Sequence, residues 1–385
     1  MTTEKTFQRI DEPYYLLPRA GVSRGSLCLE NEVFGKTREE LRELGLPEWF
    51  SAGHHRLEPR SGEGVVDWIK KRSGITERCF APPDQTPVEL GEVAGLDLRQ
   101  KLEPLGIEID PKVTGLILAC ATNIDPSAKY PARTDPIKQL AAAKEIAQRL
   151  GIEVRGEVER VFTVENGCAG TGGMLARADE IFRDNPEMKY LQLISAEKLS
   201  DILNRRDLGT TPLLGDAGGA LLLMRDQPKN TPSLQALGHL HYFDESQDGA
   251  GILYIGEDGK LVMDGNRVFR RATNDMPQMV KELAEHLEVD SSKIKLILPH
   301  LANERILQNI SKRKGDFGLE NASIVDRICG ENTSSQTIMR AVEIAEEEGK
   351  FKNLKKGDMV AITTVGLGWH GRCVILRYLV KNKTA

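Results

Sequence analysis

From about residue 85 onward, the apolar positions of the chain fall into two alternating patterns. Short apolar runs bounded by turn residues occur in TGLILACATN (114–123), VFTV (161–164), YLQLISAE (190–197) and GDAGGALLLMRD (215–226). Such runs read as strands covered on both faces. Between them, PVELGEVAGLDLRQKLEPLG (87–106), PIKQLAAAKEIAQRLG (136–151) and MLARADEIF (174–182) carry helical spacing. The second half repeats the order. MPQMVKELAEHLEV predicts a helix, KLILPHLAN a strand, ERILQNISKRKGD a helix and ASIVDRICG a strand. A small-residue turn and helix follow in GENTSSQTIMRAVEIAEEEG, then strands DMVAITTVG and WHGRCVILRYLV. Two copies of one pattern indicate a duplicated α/β unit, about 85–230 and 265–385, joined by a strand-rich connector (237–265). Residues 1–64 carry little periodicity apart from a helix in TREELRELG (37–45). Segment 65–78 reads as a short basic helix and turn.

Composition narrows this without redirecting it. The 385 residues are 40% hydrophobic and 28% charged, with a net charge of −5. That balance fits a globular enzyme and gives no general argument for nucleic acid or an anionic membrane as partner. No stretch approaches a membrane span, and the acidic start MTTEKTFQRIDEPYY does not read as a signal peptide. The six cysteines (28, 79, 120, 168, 329, 373) are scattered without a CxxC pair. This predicts neither a zinc site nor a disulfide framework, and a reducing, cytoplasmic setting. His54 and His55, in a loop without further ligands, read as surface.

The candidate chemistry starts from VFTVENGCAGTGG (161–173), where Cys168 follows a strand and precedes a helix. A thiol there lies at the positive end of a helix dipole, which favours thiolate. The alternative is a small buried cysteine. In α/β sheets, sites gather at the carboxyl ends of strands. The equivalent strand ends of the second half carry His300, in PHLAN, and Asn332, in GENTSS, at the place that corresponds to Cys168. A pseudo-twofold axis would bring these turns face to face. Trp68 and Arg72 are four apart and share a helical face. They suit either a nucleotide's adenine and phosphate or plain packing with a solvated charge.

GCAG, PHLAN, GENTSS, GDAGGA and the final GLG, preceded by DWIKKRSGITER and APPDQT, resemble the thiolase-fold condensing enzymes, most nearly β-ketoacyl-acyl carrier protein synthase III. The resemblance runs from about residue 65 to the end. It implies the five-layered αβαβα thiolase fold, with halves at 1–230 (extension 1–64 included) and 231–385, and a homodimer. It implies decarboxylative Claisen condensation of an acyl-CoA starter, held on Cys168, with malonyl-acyl carrier protein or malonyl-CoA. No cofactor or metal is implied beyond the coenzyme A or carrier thioesters.

The residue types suit that chemistry. Thioester exchange needs a soft nucleophile, Cys168, and the enolate left by decarboxylation needs paired donors, His300 and Asn332. By resemblance, Gly366 and Gly368 belong to the oxyanion loop, Asn303 orients the His300 loop, and Tyr130 enters a partner's acyl pocket. Trp68, Arg72, Arg205, Arg206 and Arg305 would hold coenzyme A or the carrier, Arg305 being followed on its helix by Lys312, Arg313 and Lys314. The sequence departs from the family at the N-terminal extension, at Leu208 where an arginine is usual, and at Trp369 and His370, which fall by the acyl pocket. Acyl transfer to an alcohol or amine without decarboxylation is the alternative reaction, and Asn332 argues against it.

Overall fold

Capping chemistry starts the helices where the sequence patterns begin, in a computed structural model that describes residues 3–47, 50, 64–120, 135–154, 160–204, 207–229, 231–246, 249, 251–328 and 330–380. The first elements are β1 (Thr3–Arg9), β2 (Tyr15–Leu16), β3 (Gly21–Arg24), β4 (Leu27–Glu30), α1 (Arg38–Glu43), α2 (Val65–Ser73) and β5 (Glu77–Phe80). The first half of the duplicated unit then runs α3 (Pro87–Leu102), β6 (Thr114–Ala119), α4 (Pro136–Arg149), β7 (Val161–Val164), α5 (Gly170–Asp184), β8 (Tyr190–Lys198) and β9 (Asp216–Met224). It is followed by β10 (Ser233–Asp244), β11 (Leu253–Ile255) and β12 (Leu261–Met263). The second half runs α6 (Gly265–His286), β13 (Ile294–Pro299), α7 (Glu304–Arg313), β14 (Ser323–Ile324), α8 (Thr337–Glu347), β15 (Met359–Gly366) and β16 (His370–Leu379). Thr37 with Glu40, and Thr86 with Glu89, form capping boxes that start α1 and α3. Gly74, at φ 75°, ends α2 in the left-handed region.

The strand pairings reproduce the duplication. In the first half β6 pairs in parallel with β7 and β8, and β8 pairs antiparallel with β9. In the second, β13 pairs in parallel with β14 and β15, and β15 antiparallel with β16. Helices α5 and α8 each touch strands of both halves, so they form the middle of five layers. On the outside, α3 and α4 cover the first set of strands and α6 the second, with α7 packed on α6. The middle layer explains the glycines of GTGG. A Cβ on Gly172 would lie 2.5 Å from Arg372 Cβ, and one on Gly170 2.9 Å from Ser335 Cβ. Both sites need the missing side chain, because close-packed interiors leave no room for another methyl.

Four expectations need correction. The strand-rich connector begins inside β10, a twelve-residue strand that is part of the main sheet, pairing along its length with β16 and joining the two halves through β2. Its alternating apolar face packs like any other core strand. The poorly patterned N-terminus supplies strands to the main sheet, with β1 pairing to β10 and β3 to β9. ASIVDRICG forms only the two-residue β14. Finally, Cys28 and Cys79 are joined by a disulfide. Fifty-one residues separate them in sequence, but antiparallel pairing of β4 with β5 sets them directly opposite. Spacing alone carries no sign of that register.

Candidate active site

The N-terminal ends of α5 and α8 meet in the middle layer, and the candidate nucleophile sits on the first. Cys168 lies in a 3-10 turn, Gly167–Ala169, that leads into α5. The matching turn before α8 is Ser334–Gln336. Counted back from the helix starts, the counterpart of Cys168 is Ser335, not Asn332, which enters from three residues earlier. Thr171 Oγ1 donates to Ser335 O across the two turns at 2.6 Å. Asn332 is held by a parallel bridge to Leu214, its N–H donating to Leu213 O at 2.8 Å. His300 follows β13, with its N–H on Thr363 O of β15 at 2.9 Å.

These turns open on one cavity of about 510 Å³. Cys168, His300 and Asn332 all line it, as do Trp68, Arg72, Asn303, Arg305, Gly366 and Trp369. The cavity thus runs from a charged mouth, where the Arg72 guanidinium lies 5.1 Å over the Trp68 ring, inward to the thiol. Such a stacked pair offers a flat face and a cation together, as a nucleotide needs. Leu208 is part of this wall and buried. Of the basic stretch on α7, Arg305 reaches the cavity, whereas Arg313 pairs with Asp316 and Lys314 donates to Ala322 O. Asn303 caps α7 through Oδ1 on Ile306 N–H, fixing the helix that follows the His300 loop. Tyr130, Arg205 and Arg206 lie outside the described residues.

The electrostatics differ from the dipole expectation. Burial pushes the Cys168 thiol up to about 11, partly offset by the Ser334 hydroxyl and raised further by Glu197. The dipole at a helix N-terminus contributes only about 1 kcal/mol, less than the loss of water around a thiolate. Burial thus favours the thiol over the thiolate at Cys168, which stands half-buried on the cavity wall. His300, 3% exposed, is held neutral because burial lowers its pKa to about 4. Its Nδ1 lies 2.6 Å from Thr337 Oγ1. Asn332 Oδ1 accepts from Ser334 N–H at 2.9 Å, which fixes the amide so that Nδ2 is left as the free donor.

The last glycine turn also departs from expectation. Gly366 sits against the nucleophile: a Cβ there would lie 2.8 Å from Ala169 N and 3.1 Å from Cys168 N. An alanine methyl would fill the space that an oxyanion on the Cys168 N–H requires. Its φ of −151° is open to any residue, but the methyl would press on the backbone of Asn166 and Ala169, so Gly366→Ala is expected to displace the turn that carries Cys168 and to lower the melting temperature. Turnover should fall about a hundredfold or more, the scale of losing one oxyanion donor; steady-state rates beside a thermal melt would check this. Gly368, at φ 67°, lies off the cavity wall and faces the His370 ring. Trp369 follows at φ 53° and turns inward, where its Nε1 donates to Asp275 at 2.7 Å and Arg271 covers its ring. That reversal sends His370 the other way. It stacks on Phe243 and meets His241 at 3.2 Å, off the wall of the cavity.

Sequence reasoning missed Ser334 and Thr337. Ser334 adopts φ 56°, and its buried hydroxyl makes no hydrogen bond of good geometry while lying near the Cys168 thiol. The run of hydroxyls in TSSQT after Asn332, at a helix start, was the available signal.

Known proteins resemble this chain in sequence and in fold. The family described as 3-oxoacyl-(acyl-carrier-protein) synthase III matches residues 162–238, and its C-terminal counterpart matches 284–378. A β-ketoacyl-(acyl-carrier-protein) synthase III 2 of Halalkalibacterium halodurans is 30% identical over 331 residues, covering 82% of this chain and 90% of that relative. The crystal structure of 3-oxoacyl-(acyl-carrier-protein) synthase III from Aquifex aeolicus superposes with a TM-score of 0.70 at 23% identity, covering 95% of this chain and 100% of that one. The priming β-ketosynthase of the R1128 polyketide pathway superposes at 0.67 and 21% identity, covering 94% and 96%. The two similar solved structures establish the shared thiolase fold, and the sequence match over nearly the whole length of its relative places this chain in the β-ketoacyl-(acyl-carrier-protein) synthase III family.

Proposed function

We propose that the protein joins an acyl-CoA starter to a malonyl thioester, on a carrier protein or coenzyme A, with loss of carbon dioxide. The observation that carries this is the joint placement of a thiol, a neutral imidazole and a fixed amide donor on one cavity. In the first half-reaction Cys168 Sγ attacks the acyl-CoA carbonyl, His300 takes the thiol proton, and coenzyme A leaves as its thiolate. The tetrahedral oxyanion lies on the Cys168 N–H beside Gly366. In the second, the malonyl carboxylate leaves as carbon dioxide, and the charge passes to the thioester oxygen. His300 and Asn332 Nδ2 donate to that oxygen. The carbanion then attacks acyl-Cys168, and the expelled sulfur regains one proton. Trp68 and Arg72 hold the carrier end at the mouth, and the protein acts as a homodimer.

Intact-protein mass spectrometry tests this reading. Incubation with a panel of acyl-CoAs should add one acyl mass to Cys168. Malonyl-carrier should then discharge it as a β-ketoacyl product with one carbon dioxide released. Discharge to an alcohol or amine without carbon dioxide would overturn condensation in favour of plain acyl transfer.

A further inference from the structure

The two half-reactions ask opposite things of His300, and the structure contains a device that can supply both. To accept the Cys168 proton, Nε2 must carry a lone pair, so the ring proton must sit on Nδ1. To donate to the malonyl thioester oxygen, Nε2 must carry the proton, so Nδ1 must be bare. The partner of Nδ1 is Thr337 Oγ1, at 2.6 Å. The same hydroxyl lies 2.9 Å from Ser334 O. It has two partners and one hydrogen. When the hydroxyl donates to Ser334 O, its lone pair accepts Nδ1–H, and Nε2 is a base. When the hydroxyl donates to Nδ1, Nε2 holds the proton and is a donor.

We propose that Thr337 is a positioning residue that sets the tautomer of His300 in step with the two half-reactions. This rests on the condensation reading above. Thr337 also lines a second, smaller cavity of about 80 Å³, walled by Arg24, Glu331, Thr333, Gln336 and Arg340. Its wall is mixed, with Val22, Ala217, Leu301 and Ile328 beside those polar groups, and it has room for a few waters held by the charged side. Its lining shares no residue with that of the substrate cavity, so it offers Thr337 a separate outlet for a proton.

The proton count closes over a turnover. In acylation, the Cys168 proton moves to Nε2 while the Nδ1 proton passes to Thr337 Oγ1, whose own proton leaves into the second cavity. The coenzyme A thiolate takes a proton from solvent. His300 is then an Nε2–H donor, with the Thr337 hydroxyl turned to Nδ1. In condensation, the expelled Cys168 thiolate takes the Nε2 proton. Thr337 donates its proton to Nδ1 and is refilled from the cavity. The decarboxylative half consumes one proton, and this route delivers it behind a site plugged by its carrier.

Nitrogen-15 NMR of the labelled protein reads the tautomer directly, with the His300 signals assigned by their absence in His300→Gln. The free enzyme should show Nδ1 protonated and Nε2 bare, and the acyl-enzyme the reverse. Mass spectrometry of the same sample reports whether Cys168 is acylated. Absence of the acyl mass would defeat the functional reading, while an acylated protein with an unchanged tautomer would defeat this proposal alone. Thr337→Val removes the hydroxyl and keeps the shape. Its turnover number should fall about a hundredfold, the range of general acid–base contributions, with KM for acyl-CoA within about twofold. The curved proton inventory of acylation should become linear. Thr337→Ser should restore both; a serine variant as impaired as the valine would assign Thr337 a packing role and overturn the proposal.

Discussion

Cys168→Ala is expected to abolish acyl-enzyme formation and to lower turnover by roughly 10⁵-fold or more, the scale of losing a covalent nucleophile. The pH behaviour of the thiol makes this more than a loss-of-function test. With its pKa pushed up to about 11, Cys168 is protonated at neutral pH, and the free thiolate is about one part in 10⁴ at pH 7. Alkylation by iodoacetamide, which has no call on His300 binding a substrate, should therefore rise about tenfold per pH unit from pH 7 to 10. Acylation by acyl-CoA should behave differently. His300 titrates near 4, so its neutral form is fully present from about pH 5 upward and is lost only as the pH falls through that value. An acylation rate level from pH 5 to 8, beside steep alkylation, would establish base assistance. A fast alkylation already level at pH 6 would show that the dipole of α5 outweighs burial, and the base role of His300 would fall.

The same tension runs through what the sequence allowed. The strand–turn–helix around Cys168 was legible because short apolar runs, glycines and helical spacing are local signals. The duplicated order of β6 to β9 and β13 to β16 was legible because it repeats. Burial is not local. The low dielectric around Cys168 comes from α8, β8 and the Ser334 turn, distant segments that no window around VENGCAGTGG includes. The disulfide failed to appear for the same reason, since register between β4 and β5 depends on where both strands lie. The strand content of β10 is legible, but it belongs to neither copy of the repeat, and its place between β16 and β2 depends on long-range pairing. Trp369 and His370 are adjacent in sequence, and only positive φ angles at Gly368 and Trp369 send them to opposite sides. Thr337 is an ordinary helix residue until His300, thirty-seven residues away, is seen to rest on it.

Asn332 gives the largest separation between the two half-reactions. Its Oδ1 is engaged by Ser334 N–H, so its contribution to chemistry is the Nδ2 donor alone. Nothing in acylation calls for that donor, whereas the malonyl enolate does. Asn332→Ala should therefore leave acyl transfer to Cys168 within about threefold of the parent. Carbon dioxide release from malonyl-carrier should fall between about 10²- and 10³-fold, the measured scale for one oxyanion donor. Alanine also removes the acceptor that fixes Ser334, a residue at φ 56° beside the thiol, so a loss of acylation would be ambiguous with that variant alone. Asn332→Asp resolves it. The carboxylate keeps an oxygen on Ser334 N–H and the volume of the side chain, but turns a second acceptor toward the cavity in place of the donor. It should bind acyl-CoA, accept the acyl group and then stall, because like charge meets the developing enolate. Radiolabelled carbon dioxide release, measured beside the acyl mass on Cys168, separates the steps. If either variant released carbon dioxide at the parental rate, the amide would have no part in the enolate, and the condensation mechanism built on it would fail.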